Sequence, residues 1–599
     1  MKIHDEVKYL KQHYTDDSVQ LYEGLEYKQR DLIKLADFYS LSRYMGGQKD
    51  DLGRDKPFFN TVNFRVTLAK TATEFDIKDF VATSDDTEMW VQTMFINREL
   101  YKWMKRTRFS RFLNEYAYTR PKYGGVLYKS YIDKDDELKV EVVNWRNVFT
   151  DQVDILGSPI IEEHHLTPLD FINKEDVWQN TDKAIEYFEE ERKKNPDEAP
   201  TRLTVEEVTG VFTENTYLEA IGKEPTEDGD SKYSLQKHFM VRMEGKEKND
   251  IILYSTKPKK LGYRYMEWEK VVGRGLGRGV IEESEEGQVW INDLAIKQKN
   301  VIDISGKVAL VTDSNKYGGS VLEHDDGKIY QIEKGDMMQR LELAPSSLGM
   351  FDAVMQQWEN QLDKANNTYD ANTGEQPPSG TPYSQTALLN RVADRPFAFR
   401  REEAGIDLEE LINEDVIPHL LKKIEGEHVL AEEFNEEELK TIDEAFGNKV
   451  GRKVAKDLLL QFQQFTQDDI NELSQEAIDR QQKNGSKRTI KIPKGYFDGW
   501  EGRVTLNITN EQYDKANILT SLSQVMQTVT QSYDPNTGTF AILENPTLSK
   551  LFGTIIDTAG IGISPIELGI GKATAKPLMQ QMPQQNQQIP QMGAEQPVQ

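Results

Sequence analysis

The sequence predicts a mixed α+β fold that is mainly helical. Three observations predict it. Long stretches place apolar residues at three- and four-residue spacing. Short β-branched or alternating runs cluster between them. Turn-rich junctions separate the two textures. The 599 residues allow about three to five structural units. A hydrophobic content of 37%, with 24 Phe, 25 Tyr and 8 Trp, supplies real cores, while a mean hydropathy of −0.67 requires much polar surface.

Residues 1–115 read mainly as helical, on the spacing in Leu25-Glu26-Tyr27-Lys28-Gln29-Arg30-Asp31-Leu32-Ile33-Lys34-Leu35 and from Trp90 to Leu113. From Gly124 the texture changes. Val126–Ile132 and Lys139–Val143 read as paired strands around the polar turn Asp133–Asp136, and Pro159–Glu163 continues the β-rich block. A charged helical stretch over 168–196 is followed by strands over 203–217 and 236–256, with a Gly/Asp-rich loop at 222–232 between them. Gly273-Arg274-Gly275-Leu276-Gly277-Arg278-Gly279 then leads into a long helix ending near residue 304, and 306–345 reads as strand. Ser346 and Ser347 follow Pro345 as candidate caps of the next helix. In that helix Leu348, Phe351, Met355, Trp358, Leu362 and Ala365 keep alternating 3/4 spacing, the pattern of a seam facing a core or a copy of itself. Asp370–Ser384 holds two Gly and three Pro and reads as a loop. Gln385–Ile424 is helical, 430–483 carries acidic helices, and 488–508 reads as a β-hairpin. Ile518, Leu522, Val525 and Val529 mark one more amphipathic helix, and the Gln/Pro-rich segment from Lys576 has the composition of a disordered tail.

Charge and composition exclude several classes. Lys and Arg number 74 against 101 Asp and Glu, giving a net charge of −27 and a pI near 4.9. Such a chain is unsuited to coating nucleic acid, which needs clustered cations to release counterions. Cysteine is absent, which removes disulfides, thiolate metal sites and a Cys nucleophile. No apolar run reaches the 18 or so residues of a membrane span, and Met1-Lys2-Ile3-His4-Asp5-Glu6 lacks a leader-type apolar core.

No motif carries chemistry convincingly. The glycine run lacks the strand–turn–helix context of a dinucleotide fingerprint and reads as a flexible junction. There is no P-loop, zinc-protease, nucleophile-elbow or EF-hand pattern. His164 and His165 are adjacent on a strand and point to opposite faces, which disfavours a shared metal site. The doublets Asp85-Asp86, Asp325-Asp326 and Asp468-Asp469 are what chance gives among 101 acids. The expectation is no catalytic residue, no cofactor and no metal.

The order of long helix, small β insert, seam-bearing helix, Gly/Pro loop and third long helix resembles the portal proteins of tailed bacteriophages. Val142-Val143-Asn144-Trp145-Arg146-Asn147-Val148-Phe149-Thr150-Asp151, followed by Gly157–Glu163, looks like the wing of such proteins. The resemblance implies a portal-like, ring-forming fold, with a wing over 1–276 and a first stem helix over 277–305. The clip would be 306–345, the second stem helix 346–369 and the tunnel loop 370–384. A long tunnel-side helix (385–424), a wing return with its β-hairpin (425–510), a crown (511–575) and a disordered tail (576–599) would complete the subunit.

That resemblance implies a non-enzymatic virion protein at the unique capsid vertex, assembled in the cytoplasm of a bacterial host. It would form the channel for double-stranded DNA packaging and ejection. Its partners would be about eleven further copies of itself in a closed ring, the terminase large subunit, the head–tail adaptor or tail proteins, and the major capsid and scaffold proteins, with no membrane. Asn372, Thr373, Glu375, Gln376, Ser379 and Thr381 would face DNA. Lys316, Tyr317, Gly318 and Gly319 would tip the docking surface, and Leu348, Phe351, Met355, Trp358 and Leu362 would meet the neighbouring subunit. A shorter type of ring-forming head–tail adaptor is the alternative. A terminase- or nuclease-like enzyme fits less well, since it needs a P-loop or clustered carboxylates.

The loop over 370–384 contains two acids, Asp370 and Glu375, and no Lys or Arg, so it can touch phosphates without strong ion pairing. Glu375→Lys combined with Gln376→Lys should therefore slow DNA packaging and lose that effect as salt rises. Packaged DNA per procapsid over time, at two ionic strengths, is the measurement. Normal packaging in correctly assembled rings would place this loop away from the DNA path.

Overall fold

The computed structural model describes residues 3–50, 53–84, 89–194, 200–243, 250–305, 309–312, 338–341, 348–367, 383–424, 426–429, 443–444, 447, 451, 455–456, 458, 466–483, 489–492, 497, 499–506, 533–534 and 539–540. The chain is a mixed α/β protein with about half of its residues helical. Met1–Leu506 and Asn507–Gln599 are separate compact units. Of the second, only the ribbon Tyr533–Asp534 with Thr539–Phe540 is described, so the helix expected around Ile518 and the Gln/Pro-rich tail lie outside the described residues.

The first unit opens with α1 (Ile3–Asp16), the hairpin β1 (Val19–Tyr22) and β2 (Leu25–Tyr27), and α2 (Gln29–Ser40). The helix expected from Leu25 thus begins four residues later, because Gly24, at φ +80, turns Leu25–Tyr27 back onto β1. Next come α3 (Val62–Thr73), β3 (Phe80–Ser84), α4 (Trp90–Arg106) and α5 (Phe109–Tyr123). Strands β4 (Gly125–Ile132) and β5 (Leu138–Val142) pair around the polar turn. A five-stranded antiparallel sheet follows: β6 (Val148–Phe149), β7 (Ile160–Leu166), β8 (Leu203–Thr213), β9 (Tyr233–Val241) and β10 (Ile251–Thr256). The helices α6 (Pro168–Ile172), α7 (Thr181–Lys194) and α8 (Glu214–Ala220) lie between its strands in sequence, and β11 (Tyr263–Glu267) returns to pair with β4.

Three long helical elements come next. They are α9 (Val280–Ser305), α10 (Leu348–Ala365) and α11 (Tyr383–Leu411), the last continuing through a π turn at Ile412–Val416 into α12 (Ile417–Lys423). Strands β12 (Ala309–Thr312) and β13 (Met338–Leu341) pair antiparallel between α9 and α10. The strand expected at Lys328–Ile332 lies outside the described residues. The largest core buries Trp103, Phe109, Phe112 and Tyr116 of α4 and α5 against Leu408, Leu411 and Leu420 of α11 and α12.

The hairpin expected over 488–508 is corrected. β14 (Gly426–Val429) pairs with β15 (Thr489–Ile492), while β16 (Gly502–Leu506), which follows α13 (Gln467–Lys483), pairs with the distant β3. The β3–β16 ribbon is closed on both sides by asparagines. Asn97 bonds both backbone groups of Ala82, and Asn413 in the π turn does the same for Val504. Each side chain imitates a further strand and satisfies an edge that otherwise invites pairing.

The glycine run at 273–279, read above as a flexible junction, is instead tightly packed. Three of its backbone N–H groups are occupied: Gly275 donates to Gln152 O, Gly277 to Tyr265 Oη and Arg278 to Glu269 O. Gly277 and Gly279 cross Gly124, the left-handed residue (φ +89) that ends α5. A Cβ on Gly277 would collide with Gly124 O and stand 2.7 Å from Glu269 O, both backbone atoms with no rotamer to escape into. Gly277→Ala should destabilise the protein by about 1–3 kcal/mol. Gly46→Ala, at a position with open space and ordinary φ, should change stability by less than about 0.5 kcal/mol. Equal unfolding midpoints for the two variants would refute the crossing.

Candidate functional site

The long hairpin of α9 and α10 is the candidate site, because it combines a fixed base with apolar side chains facing outward. Four contacts set its antiparallel register. Asn366 Nδ2 donates to Ser284 Oγ at 2.8 Å, Gly287 packs on Leu362, Trp290 stacks on Trp358, and Gln298 Nε2 donates to Asp352 Oδ1 at 3.0 Å. The indole rings are 5.7 Å apart and within 7° of parallel. Gly287 permits close approach: any Cβ there would run into the Leu362 side chain.

A buried polar stripe anchors α9. Ser284, Gln288 and Asn292 recur every fourth residue, so they share one helix face. Gln288 Oε1 accepts from Thr61 N and Oγ1 at 3.0 Å, its Nε2 donates to Phe59 O, and Asn292 Oδ1 accepts from Phe59 N at 2.9 Å. Arg65 of α3 reaches the last turn of α10, donating to Glu359 O and Asp363 Oδ1. The segment before α3 is thereby tied to α9, and α3 itself to α10.

On the outer surface, Met350 is 66% exposed, Ile302 55%, Val289 48% and Trp290 44%. The seam predicted on α10 falls differently. Leu362 is buried inside the chain against Gly287, which removes it from any outward contact, and Trp358 is engaged by Trp290. Phe351 and Met355 are partly buried, and Leu348 begins the helix. The outward apolar residues of α9 were missed because they belong to no repeat. Asn372, Thr373, Glu375, Gln376, Ser379 and Thr381 lie outside the described residues, as do Lys316, Tyr317, Gly318 and Gly319.

Where the three long helices meet, a cavity of about 250 Å³ is lined by Trp268, Glu269, Arg278, Asn366, Phe397 and Arg400. Glu269 binds both guanidiniums, Arg278 at 2.8 Å and Arg400 at 3.0 Å, so the cavity wall is a neutralised joint. Pro396, inside α11, also borders it.

Among the described residues one group has metal-ligand character: Glu162, His164 and Glu207. As alternation requires, His165 points elsewhere, towards Thr204. Lys129 Nζ lies 2.8 Å from Glu162 and 3.0 Å from Glu207, and Lys237 also pairs with Glu207. The positive charge a metal would bring is already present. Tyr263 Oη lies within hydrogen-bond distance of both carboxylates, 2.9 Å from Glu162 and 3.2 Å from Glu207. Burial pushes Glu207 up, but Lys129, Lys237 and His164 outweigh it and hold the carboxyl well below its usual range. His164 Nε2, 2.7 Å from Glu207 Oε2, therefore acts as a donor. The cluster joins the three-stranded and five-stranded sheets.

No protein-family model matches this chain, and no curated protein sequence matches it.

Lys129→Met would leave two buried carboxylates short of a cation, at a cost of about 3–5 kcal/mol near neutral pH. A depressed Glu207 contributes stability that is present above the unfolded Glu value and lost as pH falls through the folded one. The difference between wild type and Lys129→Met should therefore shrink on acidification. Denaturant unfolding at two pH values measures it, and a constant difference would deny Lys129 this electrostatic role.

Proposed function

We propose that this chain is the subunit of a phage portal: a closed ring at the capsid vertex through which double-stranded DNA enters and leaves. The observation that carries the reading is the antiparallel α9–α10 hairpin, bridged by the β12–β13 ribbon and followed by the continuous helical run from Tyr383 to Lys423. In this reading α9 and α10 are the stem, the ribbon belongs to the clip that docks terminase and then a tail adaptor, and the residues around the two sheets form the wing. A shorter adaptor-type ring protein would not need so large a body beside the hairpin.

Magnitudes bear on how copies associate. Fully burying an exposed Val, Ile, Met or Trp yields about 1.5–3 kcal/mol. Four such residues on one hairpin give several kcal/mol, which only matches the lower range of the 4–15 kcal/mol or so that association costs. One hairpin contact is thus marginal. A ring, in which every subunit has two neighbours and the last contact closes the circle, turns marginal contacts into a stable assembly. The net charge of −27 per copy limits attachment to DNA in transit.

Val289→Glu with Ile302→Glu should leave the subunit folded, since both side chains are exposed, but abolish ring formation. Mass photometry and negative-stain images of wild type and variant provide the measurement. A strictly monomeric wild type at high concentration and within virions would end the portal reading. A ring unaffected by the double variant would move the subunit contact away from these two residues.

A further inference from the structure

The corner between α4 and α5 concentrates positive charge in an otherwise acidic protein. Residues 102–111 contain Lys102, Lys105, Arg106, Arg108 and Arg111 and no acid. We propose that this corner is a docking surface for the phosphate backbone of double-stranded DNA, separate from any channel and independent of the ring reading.

The corner is rigid. Trp103, Met104, Phe109 and Phe112 are buried beneath it, and Arg108 holds a left-handed turn at φ +57 that aims the chain into α5. Thr107 N donates to Trp103 O, Arg108 N to Lys105 O and Arg111 N to Arg108 O. The charged ends stay in solvent: Lys105, Arg106, Arg108 and Arg111 are all exposed. Their local neutralisation is incomplete. Arg111 pairs with Glu115 and Arg106 with Glu137, whereas Lys105 and Arg108 have no ion-pair partner among the described residues. Lys105 Nζ instead sits 4.3 Å from the centre of the Tyr101 ring. In the nearby acidic turn Asp133 is bound by Lys139 and Asp136 by Lys423, which leaves Asp135 as its one acid without an ion-pair partner among the described residues. The first turn of α5 carries no acid, so its positive dipole end adds to the same field.

The composition of the corner selects among anionic partners. A folded protein partner would need an apolar centre in the interface. No large apolar side chain between residues 98 and 114 is among the exposed ones, which leaves a polar, cationic surface of the kind that meets phosphates. Guanidiniums suit phosphate by donating paired hydrogen bonds to two of its oxygens at once. Nothing here reads bases, so the contact is indifferent to sequence.

The test uses the full chain and a fluorescently labelled DNA duplex, with anisotropy followed across a salt series. Lys105→Gln, Arg108→Asn and Arg111→Gln are combined; Asn tolerates the left-handed turn at Arg108. Wild type should bind at low salt, and the variant's salt slope should be smaller by about 0.9 per cation removed. The charge-preserving set Lys105→Arg, Arg108→Lys, Arg111→Lys should retain binding, which separates charge from folding. Duplex binding that is absent in wild type, or unchanged in the triple variant, overturns the proposal. Equal affinity for polyglutamate overturns it too, in favour of an acidic protein partner.

Discussion

Two stretches of backbone cross without any side chain between them where α5 ends and α9 begins. Gly124 faces Gly277 and Gly279 there, and Trp268 N donates to Gly124 O at 2.8 Å. This crossing fixes where α9 starts and in which direction it leaves the body. The arginines around it hold that direction: Arg274 makes two 2.7 Å bonds to Glu282 in the first turn of α9, and Arg278 reaches Glu269 and Glu283. The same site places Trp268 and Glu269 against Arg400 of α11. The direction of the hairpin and the docking of the third long helix therefore depend on one steric fact.

Buried charge joins the remaining pieces. Asp37 of α2 accepts from Lys122 and Tyr123 of α5 and, through both oxygens, from Arg146. Burial pushes this carboxyl up, but the bonds from Arg146, Lys122 and Tyr123 prevail and hold it below its usual value. Asp407 of α11 shows the opposite balance. It accepts from Tyr116 and Tyr128 at 2.8 Å each, yet burial dominates and raises it. Hydroxyl donors offset desolvation less than cations do. Such pairs stabilise little in net terms, but breaking one strands its partner in a dry place. They act as keys that admit one arrangement of helices and sheets.

Local pattern made the long helices and the β4–β5 pair legible, since 3/4 spacing and a polar turn are properties of adjacent residues. The bridged hairpin could be read as an order of elements. What pattern could not reveal was long-range choice. Thr489–Ile492 and Gly502–Leu506 look like each other's partners, yet β14 and β3 claim them. The glycines of 273–279 look like slack, because nothing in the run names Gly124 as the opposite wall. Ser284, Gln288 and Asn292 are hidden for a related reason: polar residues on a buried face lower the very periodicity by which a helix is recognised. The Lys129 cluster draws on β4, β7, β8, β9 and β11, elements up to 134 residues apart in the numbering of Lys129 and Tyr263.

The buried polar stripe also bears on what α9 is for. An ordinary surface helix turns apolar residues inward and polar ones to water. Part of α9 reverses this, with Gln288 and Asn292 inside and Val289 and Trp290 about half exposed beside them. The inward groups are satisfied by the backbone of Phe59, Thr61 and Val62, so the reversal carries no penalty on that side. The outer face still meets water along apolar surface, at about 25 cal/mol for each Å² left uncovered. A stack of two tryptophans reduces that area only in part. Sequence variation that simply favoured the isolated subunit would replace Val289 and Ile302 by polar residues at little structural loss, because both are about half exposed, whereas Trp290 holds the hairpin register through its stack on Trp358. Apolar residues left uncovered beside a base made rigid by hydrogen bonds are what the proposed ring would cover with a neighbouring subunit.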